Sequence, residues 1–385
     1  MRKETANSSQ FLFRFMPSRV FVPEENGKFR QMKSLIEKAM EKPCNLSLDE
    51  IERLLSLSSS DERTFLREAA RSLKRRYFGN LVSIRGIIEL GNICAKDCFY
   101  CGIRKSNRNV ERYRLSLADI ERMAETNAVL GYKSLVLQGG EIESEENTRF
   151  IEETLKALAK FDFGITLSLG EQTKDVYRRW KDAGASRYLL RIETSNRELY
   201  STLHPPSCDW QRRAECLKYL NECGYQTGTG TMSSLPGQTI NDLAHDIVFF
   251  NESKAVMIGM GPYLSHPDTP LAKCDLIFNQ DKLERALDMI AVTRLYLHDV
   301  NIASTTALEA LADDGREQGI LAGANVVMPN VTDVTRRKSY QLYSGKPGLD
   351  ETSLAAKERL DCALAAIGEE IDYATRGDSP RAQGE

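Results

Sequence analysis

Between Phe29 and Phe78 apolar residues recur every three to four positions in three runs, FRQMKSLIEKAM, SLDEIERLLSL and DERTFLREAARSLKRRYF. That is the period of amphipathic helices, and Ser47 with Glu50 before the second apolar run reads as a capping box. From Val82 the pattern changes to short runs rich in β-branched and apolar residues, separated by longer amphipathic stretches. The strand candidates are VSIRGIIEL (82–90), KSLVLQ (133–138), GITLSL (164–169), RYLLRIE (187–193), QTGTGTM (226–232), AVMIGMG (255–261), NIASTT (301–306) and ANVVM (324–328). Strands that alternate with helices predict a parallel sheet, and eight of them close a (β/α)8 barrel. A partly open barrel is the alternative at the eighth strand. Gly131, Gly184 and Gly224 each stand where a helix should stop before a strand. The expected architecture is α/β, a TIM-type barrel with an N-terminal helical cap and a short C-terminal helical extension. Its expected divisions are a flexible extension over 1–28, helices over 29–79, the barrel over 80–348, a helical segment over 349–376 and a disordered tail, GDSPRAQGE, over 377–385.

Composition adds exclusions. The chain has 385 residues with 52 basic against 55 acidic side chains, a net charge of −3, so no global charge favours nucleic acid or an anionic membrane. No apolar run approaches the ~20 residues of a membrane-spanning helix. The first residues carry Arg2, Lys3, Arg14 and Arg19 against Glu4 alone, a weak resemblance to an organellar presequence; the expected location is the cytosol. Nine cysteines, an odd set without regular spacing, argue against a disulfide framework and for a reducing compartment.

Barrel chemistry belongs at the C-terminal ends of the strands. The first strand runs into GNICAKDCFYCGIRK, where Cys94, Cys98 and Cys101 have the spacing CxxxCxxC. Zinc sites usually need a fourth Cys or His at short range, and the nearest histidine, His204, lies on another connection. Three thiolates suit a [4Fe–4S] cluster with one iron left open. The second strand ends in Gly139-Gly140-Glu141, where glycines let a ligand approach the backbone and the acid can accept from an ammonium. The third bears Thr166 and Ser168 before Gly170-Glu171. In LLRIETSN, Arg191 and Glu193 lie on one side of the fourth strand, either as a structural ion pair or as cavity residues. Arg213, early in the next helix, can join them or face solvent. Other strand ends carry Met232, Tyr263 and the pair Thr305-Thr306. His266 reads as a hydrogen-bonded loop residue.

CxxxCxxC with the aromatic Tyr100 before its last cysteine resembles the radical S-adenosylmethionine (SAM) superfamily, and Gly139-Gly140-Glu141 resembles that family's GGE element. LVLQGGE, ITLSLGE, WKDAGASRYLLRIET, GYQTGTGTM, LPGQTI, GPYLSHPDTPL, IASTTALEAL, AGANVVMPN and YQLYSGKPG, across roughly residues 77–348, are similar in order to the biotin-synthase-like branch, specifically the HydE-type [FeFe]-hydrogenase maturases. The resemblance implies a barrel around a large cavity, a [4Fe–4S] cluster on the three cysteines, and SAM on the open iron. Reductive cleavage of SAM would give a 5′-deoxyadenosyl radical for building the hydrogenase H-cluster, by attack on sulfur of an iron–cysteine carbonyl cyanide synthon. It further implies that Tyr100, Gly139, Gly140, Glu141, Thr166, Glu193 and Arg213 contact SAM. Arg191, Met232, Thr305, Thr306 and Tyr340 would line the substrate cavity. The implied partners are a small organometallic or amino-acid-derived substrate, other maturases and an electron donor, without nucleic acid or membrane. This chain departs from the family in three ways. After YQLY only Cys362 occurs, so no second cluster is expected; Ile192 stands where other members carry His; and the extension before Phe29 has no counterpart. A methylornithine-synthase-like mutase is the rival enzyme. Biotin synthase would need further barrel cysteines, whereas Cys208, Cys216 and Cys223 surround one helical connection. A noncatalytic iron–sulfur scaffold would not need the strand-end motifs. Cys44 and Cys274 have no assigned role.

Overall fold

The structure is a computed structural model that describes residues 27–383, so the expected extension over 1–28 lies almost wholly outside the described residues. The three helical runs form α1 (Gly27–Glu41), α2 (Leu48–Leu55) and α3 (Ser60–Phe78). Ser47 and Glu50 make the reciprocal capping box, with Glu50 N–H donating to the Ser47 hydroxyl and Ser47 N–H to the Glu50 carboxylate. Phe29, Met32, Ile36, Phe65, Leu66 and Leu73 on α1 and α3 are buried in the main core.

The barrel strands follow: β1 (Leu81–Ile84), β2 (Gly86–Gly91), β3 (Ser134–Gly139), β4 (Gly164–Ser168), β5 (Arg187–Leu189) and β6 (Gln226–Thr229). Then come β7 (Met232–Ser233), β8 (Met257–Ile258), β9 (Gly261–Pro262), β10 (Asn301–Ser304), β11 (Val326–Val327) and β12 (Glu370–Asp372). All pairings are parallel, in the order β12-β1-β11-β10-β8-β6-β5-β4-β3-β2, and β7 pairs separately with β9. β1 and β2 are one strand interrupted at Arg85. Ser83 and Ile84 pair with Val326 and Val327, Ile87 bridges Asn330, and Gly86 onwards pairs with β3. The two ends of the sheet therefore meet on this strand and eight staves close a TIM-type barrel, as the pattern predicts. Helices α4 (Leu117–Val129), α5 (Glu145–Leu158), α6 (Lys174–Asp182), α7 (Arg197–Leu203), α8 (Trp210–Glu222), α9 (Ile240–Glu252) and α10 (Asn279–Leu297) supply crossovers. Gly131, Gly184 and Gly224 take left-handed backbone after α4, α6 and α8.

Two expectations need correction. The run 187–193 is regular strand only to Leu189, because the chain turns at the barrel mouth, where Glu193 adopts φ 70°. The tail from Gly377 to Gln383 is ordered, despite its polar composition, because it plugs the N-terminal end of the barrel. Arg85 and Arg187 are buried there. Arg85 donates to Gly377 O at 3.1 Å, Arg187 donates to Arg376 O at 2.6 Å and pairs with Asp378, and Ser379 Oγ donates to Asp299 O at 2.8 Å. Buried guanidiniums need acceptors, and the tail provides them. The 349–376 segment contributes a short helix, Ser353–Ala366, and also β12, which extends the sheet beside β1.

Candidate active site

A cavity of about 330 Å³ opens at the C-terminal ends of the strands. Cys94, Cys98, Cys101, Tyr100, Gly139, Gly140 and Glu141 line one side of it, and Glu193 and Arg213 the adjoining wall. Arg191, Met232, Thr305, Thr306 and Tyr340 also line it. Thr166 does not. It lies one side-chain layer deeper on β4, paired with Val136 and Arg187, and Ser168 reaches the cavity in its place.

The cysteine loop is locked to the loop after β3. Ala95 N–H donates to Glu141 O at 2.8 Å, and Glu141 N–H to Cys94 Sγ at 3.4 Å. This fit explains Gly140: a Cβ there would lie 2.1 Å from Ile93 O and 2.9 Å from Cys94 Cβ. Arg112 braces the loop from outside, donating to the carbonyls of Asn92, Ile103, Arg104 and Asn107 at 2.5–3.0 Å. Tyr100 packs on an apolar cluster of Leu199, Leu203, Met232, Leu235 and Tyr263. Its hydroxyl lies 3.3 Å from His204 Nε2, while His204 Nδ1 lies 2.9 Å from Tyr200 O. A carbonyl only accepts, so Nδ1 carries the proton and Nε2 accepts from Tyr100. Burial pushes His204 down to about 4. Sequence distance had separated this histidine from the cysteines; the fold brings it beside them, with neither ring nitrogen free for a metal.

A charged cluster crosses the cavity wall. Lys96 Nζ lies 3.0 Å from Glu141 Oε1 and 2.9 Å from Glu171 Oε2. Arg213 Nη1 lies 2.9 Å from Glu171 Oε1 and 3.8 Å from Glu141 Oε2, and its Nε donates to Arg191 O at 2.6 Å. Arg191 Nη2 lies 3.0 Å from Glu193 Oε2, so this pair faces the cavity together. Burial raises the Glu141 carboxyl; burial opposes ionisation of Glu171 too, but Arg213 and Lys96 hold it below its usual range. Gly170, at φ 78°, makes room for Glu141, since a Cβ would sit 2.1 Å from Glu141 Oε2. Lys96 and Glu171 were not singled out from sequence. Their only signals were a lysine inside the cysteine spacer and an acid ending the third strand.

Residues 88–250 match the Radical SAM superfamily. The [FeFe] hydrogenase maturase subunit HydE of Thermotoga maritima is 41% identical over 319 residues, spanning 82% of this chain and 88% of that protein. The chain belongs to the radical SAM superfamily, with the HydE-type maturases. A 3-methylornithine synthase of Methanosarcina acetivorans is more distant, 28% identical over 73% of this chain and 79% of that protein. The structure of the FeFe-hydrogenase maturase HydG from Carboxydothermus hydrogenoformans shares the fold, with a TM-score of 0.76 over 96% of this chain and 83% of that one at 20% identity.

Radical SAM enzymes use a [4Fe–4S] cluster and SAM, and the residues of this HydE-type chain fit both. Burial raises all three thiols, Cys101 to about 12, a cost that the positive charge of a bound metal cluster would offset. Among the described residues no three Cys, His, Asp or Glu side chains converge on a single ion. For SAM, Glu141 Oε1, Glu193 Oε2 and Thr305 Oγ1 are buried without a hydrogen-bond partner. The first two lie near cations but outside hydrogen-bond geometry, which leaves acceptors available to a ligand ammonium or hydroxyl. No helix among the described residues is long and apolar enough to cross a membrane.

Proposed function

We propose that this radical SAM enzyme, acting in [FeFe]-hydrogenase H-cluster maturation, has an iron–cysteine carbonyl cyanide synthon as its substrate. The convergence of three cysteines, Glu141, Arg213 and the Arg191–Glu193 pair on one cavity carries the reading, together with 41% identity to a HydE. Cys94, Cys98 and Cys101 would hold the cluster, which with SAM supplies a 5′-deoxyadenosyl radical for attack at the substrate sulfur. Glu141 would accept from the methionyl ammonium, and Arg213 would face the carboxylate. Glu193 would accept from the ribose, and Tyr100 would rest against the adenine. Thr166, one layer below, would act through the strand rather than by contact. Arg191, Thr305 and Thr306 would bind the anionic synthon, while Met232 and Tyr340 close the cavity to water. Glu171 and Lys96 hold Arg213 and Glu141 in place.

Anaerobic reconstitution with dithionite and SAM should yield 5′-deoxyadenosine and methionine. In a reconstituted maturation mixture the chain should replace HydE in activating an apo-hydrogenase. Turnover of SAM without activation would overturn the substrate; no turnover would overturn the enzyme reading. We also place the enzyme in the cytosol, in transient contact with partner maturases and an electron donor.

A further inference from the structure

His204 is buried and does not line the cavity, yet the chain holds the cysteine loop at this point twice. The Tyr100 hydroxyl lies 3.3 Å from His204 Nε2, and the two rings meet edge-on, 5.4 Å apart at 90°. One residue earlier, Leu203 O accepts from Phe99 N–H at 2.8 Å. Phe99 and Tyr100 are the two residues between Cys98 and Cys101, so that spacer rests on the C-terminal turn of α7. Phe99 O in turn accepts from Leu271 N–H at 3.1 Å. The imidazole itself is held on two sides. Its Nδ1–H donates to Tyr200 O at 2.9 Å, and its ring stacks on Tyr200 at 3.9 Å with 20° between the planes. Nε2 is therefore a fixed acceptor, and the Tyr100 ring, packed against Leu199 and Leu203 of the same helix, has its hydroxyl satisfied in one orientation. The other end of α7 is anchored as well. Asn196 caps the helix by accepting from Glu198 N–H and Leu199 N–H at 2.9 and 3.1 Å, and it donates to Asp242 on α9 at 2.7 Å. Asn196 stands three residues after Glu193. A helix of seven residues therefore joins the turn that presents Glu193 to the histidine that holds Tyr100.

We propose that His204 is a positioning residue for the nucleoside half of SAM. Through the Tyr100 hydroxyl it fixes the face that Tyr100 turns to the adenine, and α7 ties that face to Glu193. The inference rests on the assignment of Tyr100 and Glu193 to the adenine and ribose. The methionyl half depends on a different set, Glu141 and Arg213 with Lys96 and Glu171, whose ion pairs link these four to one another. None of the four hydrogen-bonds to His204, whose ring nitrogens go to Tyr100 and Tyr200. The two halves of the cofactor are thus held by separate supports, and loss of one support is readable against the other.

The test uses the reconstituted full chain in equilibrium dialysis against SAM and, separately, against methionine. His204→Phe keeps a stacking ring and removes the acceptor. Its SAM affinity should fall about tenfold, the size of one hydrogen bond to a group left buried, while methionine affinity stays within about twofold. Tyr100→Phe deletes the same hydrogen bond from the other side, so His204→Phe added to it should cost no further SAM affinity. Equal SAM binding in wild type and His204→Phe would overturn the proposal. So would a loss of the same size for methionine, or a loss that recurs in full in the Tyr100→Phe background, since either is what a merely structural residue gives. Should His204→Phe lose iron, Tyr100→Phe decides alone: weaker SAM with unchanged methionine is expected, and unchanged SAM overturns the proposal. Failure of the functional reading looks different: dithionite-reduced wild type would not cleave SAM.

Discussion

At residue scale, the strongest constraints are steric and electrostatic. Gly140 has the cysteine loop against it, so Gly140→Ala must push Ile93 and Cys94 outward by more than side-chain adjustment can absorb. Reconstituted iron and sulfide content should fall by more than half, while far-ultraviolet circular dichroism stays native. Glu141 presents a buried, unsatisfied oxygen. Glu141→Gln keeps the shape and removes the charge, so SAM affinity measured by equilibrium dialysis should weaken about tenfold, the size of one charge-assisted hydrogen bond. Unchanged affinity would remove Glu141 from the SAM site. Cys98→Ala leaves two thiolates and should abolish stable cluster assembly.

At element scale, helix α9 holds the turn that presents Glu193. Asp246 on α9 is fully buried and accepts from Ser195 N–H at 2.6 Å and from its hydroxyl at 2.7 Å, two residues beyond Glu193 and its φ of 70°. Burial, aided by Asp242 and opposed by Ser195, pushes this carboxyl up to about 7, against about 3.9 when unfolded. Between those values the folded state keeps a proton that the unfolded state has lost. The Asp246 contribution to stability is therefore full below pH 4, lost as pH rises towards 7, and level above. Thermal melts across pH 4.5–7.5 should show a slope in wild type that Asp246→Asn flattens; equal slopes would mean that Asp246 is ionised in the fold. The capping box of α2 makes a smaller claim: Ser47→Ala should cost about 1 kcal/mol in urea unfolding.

At the scale of the whole molecule, the barrel is closed at one end by the tail and open at the other for chemistry. Removing residues 377–385 would take the Gly377 carbonyl from Arg85 and the Asp378 carboxylate from Arg187, leaving both guanidiniums buried without that countercharge. The loss should be about 3 kcal/mol or more in chemical denaturation, since an uncompensated buried charge is far costlier than a lost surface contact. A truncated chain as stable as the full one would show that water replaces the tail.

The sequence by itself determined what local pattern can encode. Hydrophobic period distinguished the N-terminal helices from the eight strands, and the CxxxCxxC spacing pointed to its chemistry because three thiols so close suit a shared metal cluster. The position of each polar residue at a strand end was legible because parallel barrels put those ends together. Tertiary structure alone decided which of these side chains meet. Thr166 and Ser168 share a face by period two, and only the register of β4 against its neighbours put Ser168 in the cavity and Thr166 beneath it. Lys96 joins Glu171 across 75 positions, and Tyr100 meets His204 across 104, contacts that no local period specifies. The tail looked disordered because its composition cannot form a core. It is ordered because two arginines far away in sequence are buried and take its Gly377 carbonyl and Asp378 carboxylate, a demand created only when the barrel closes.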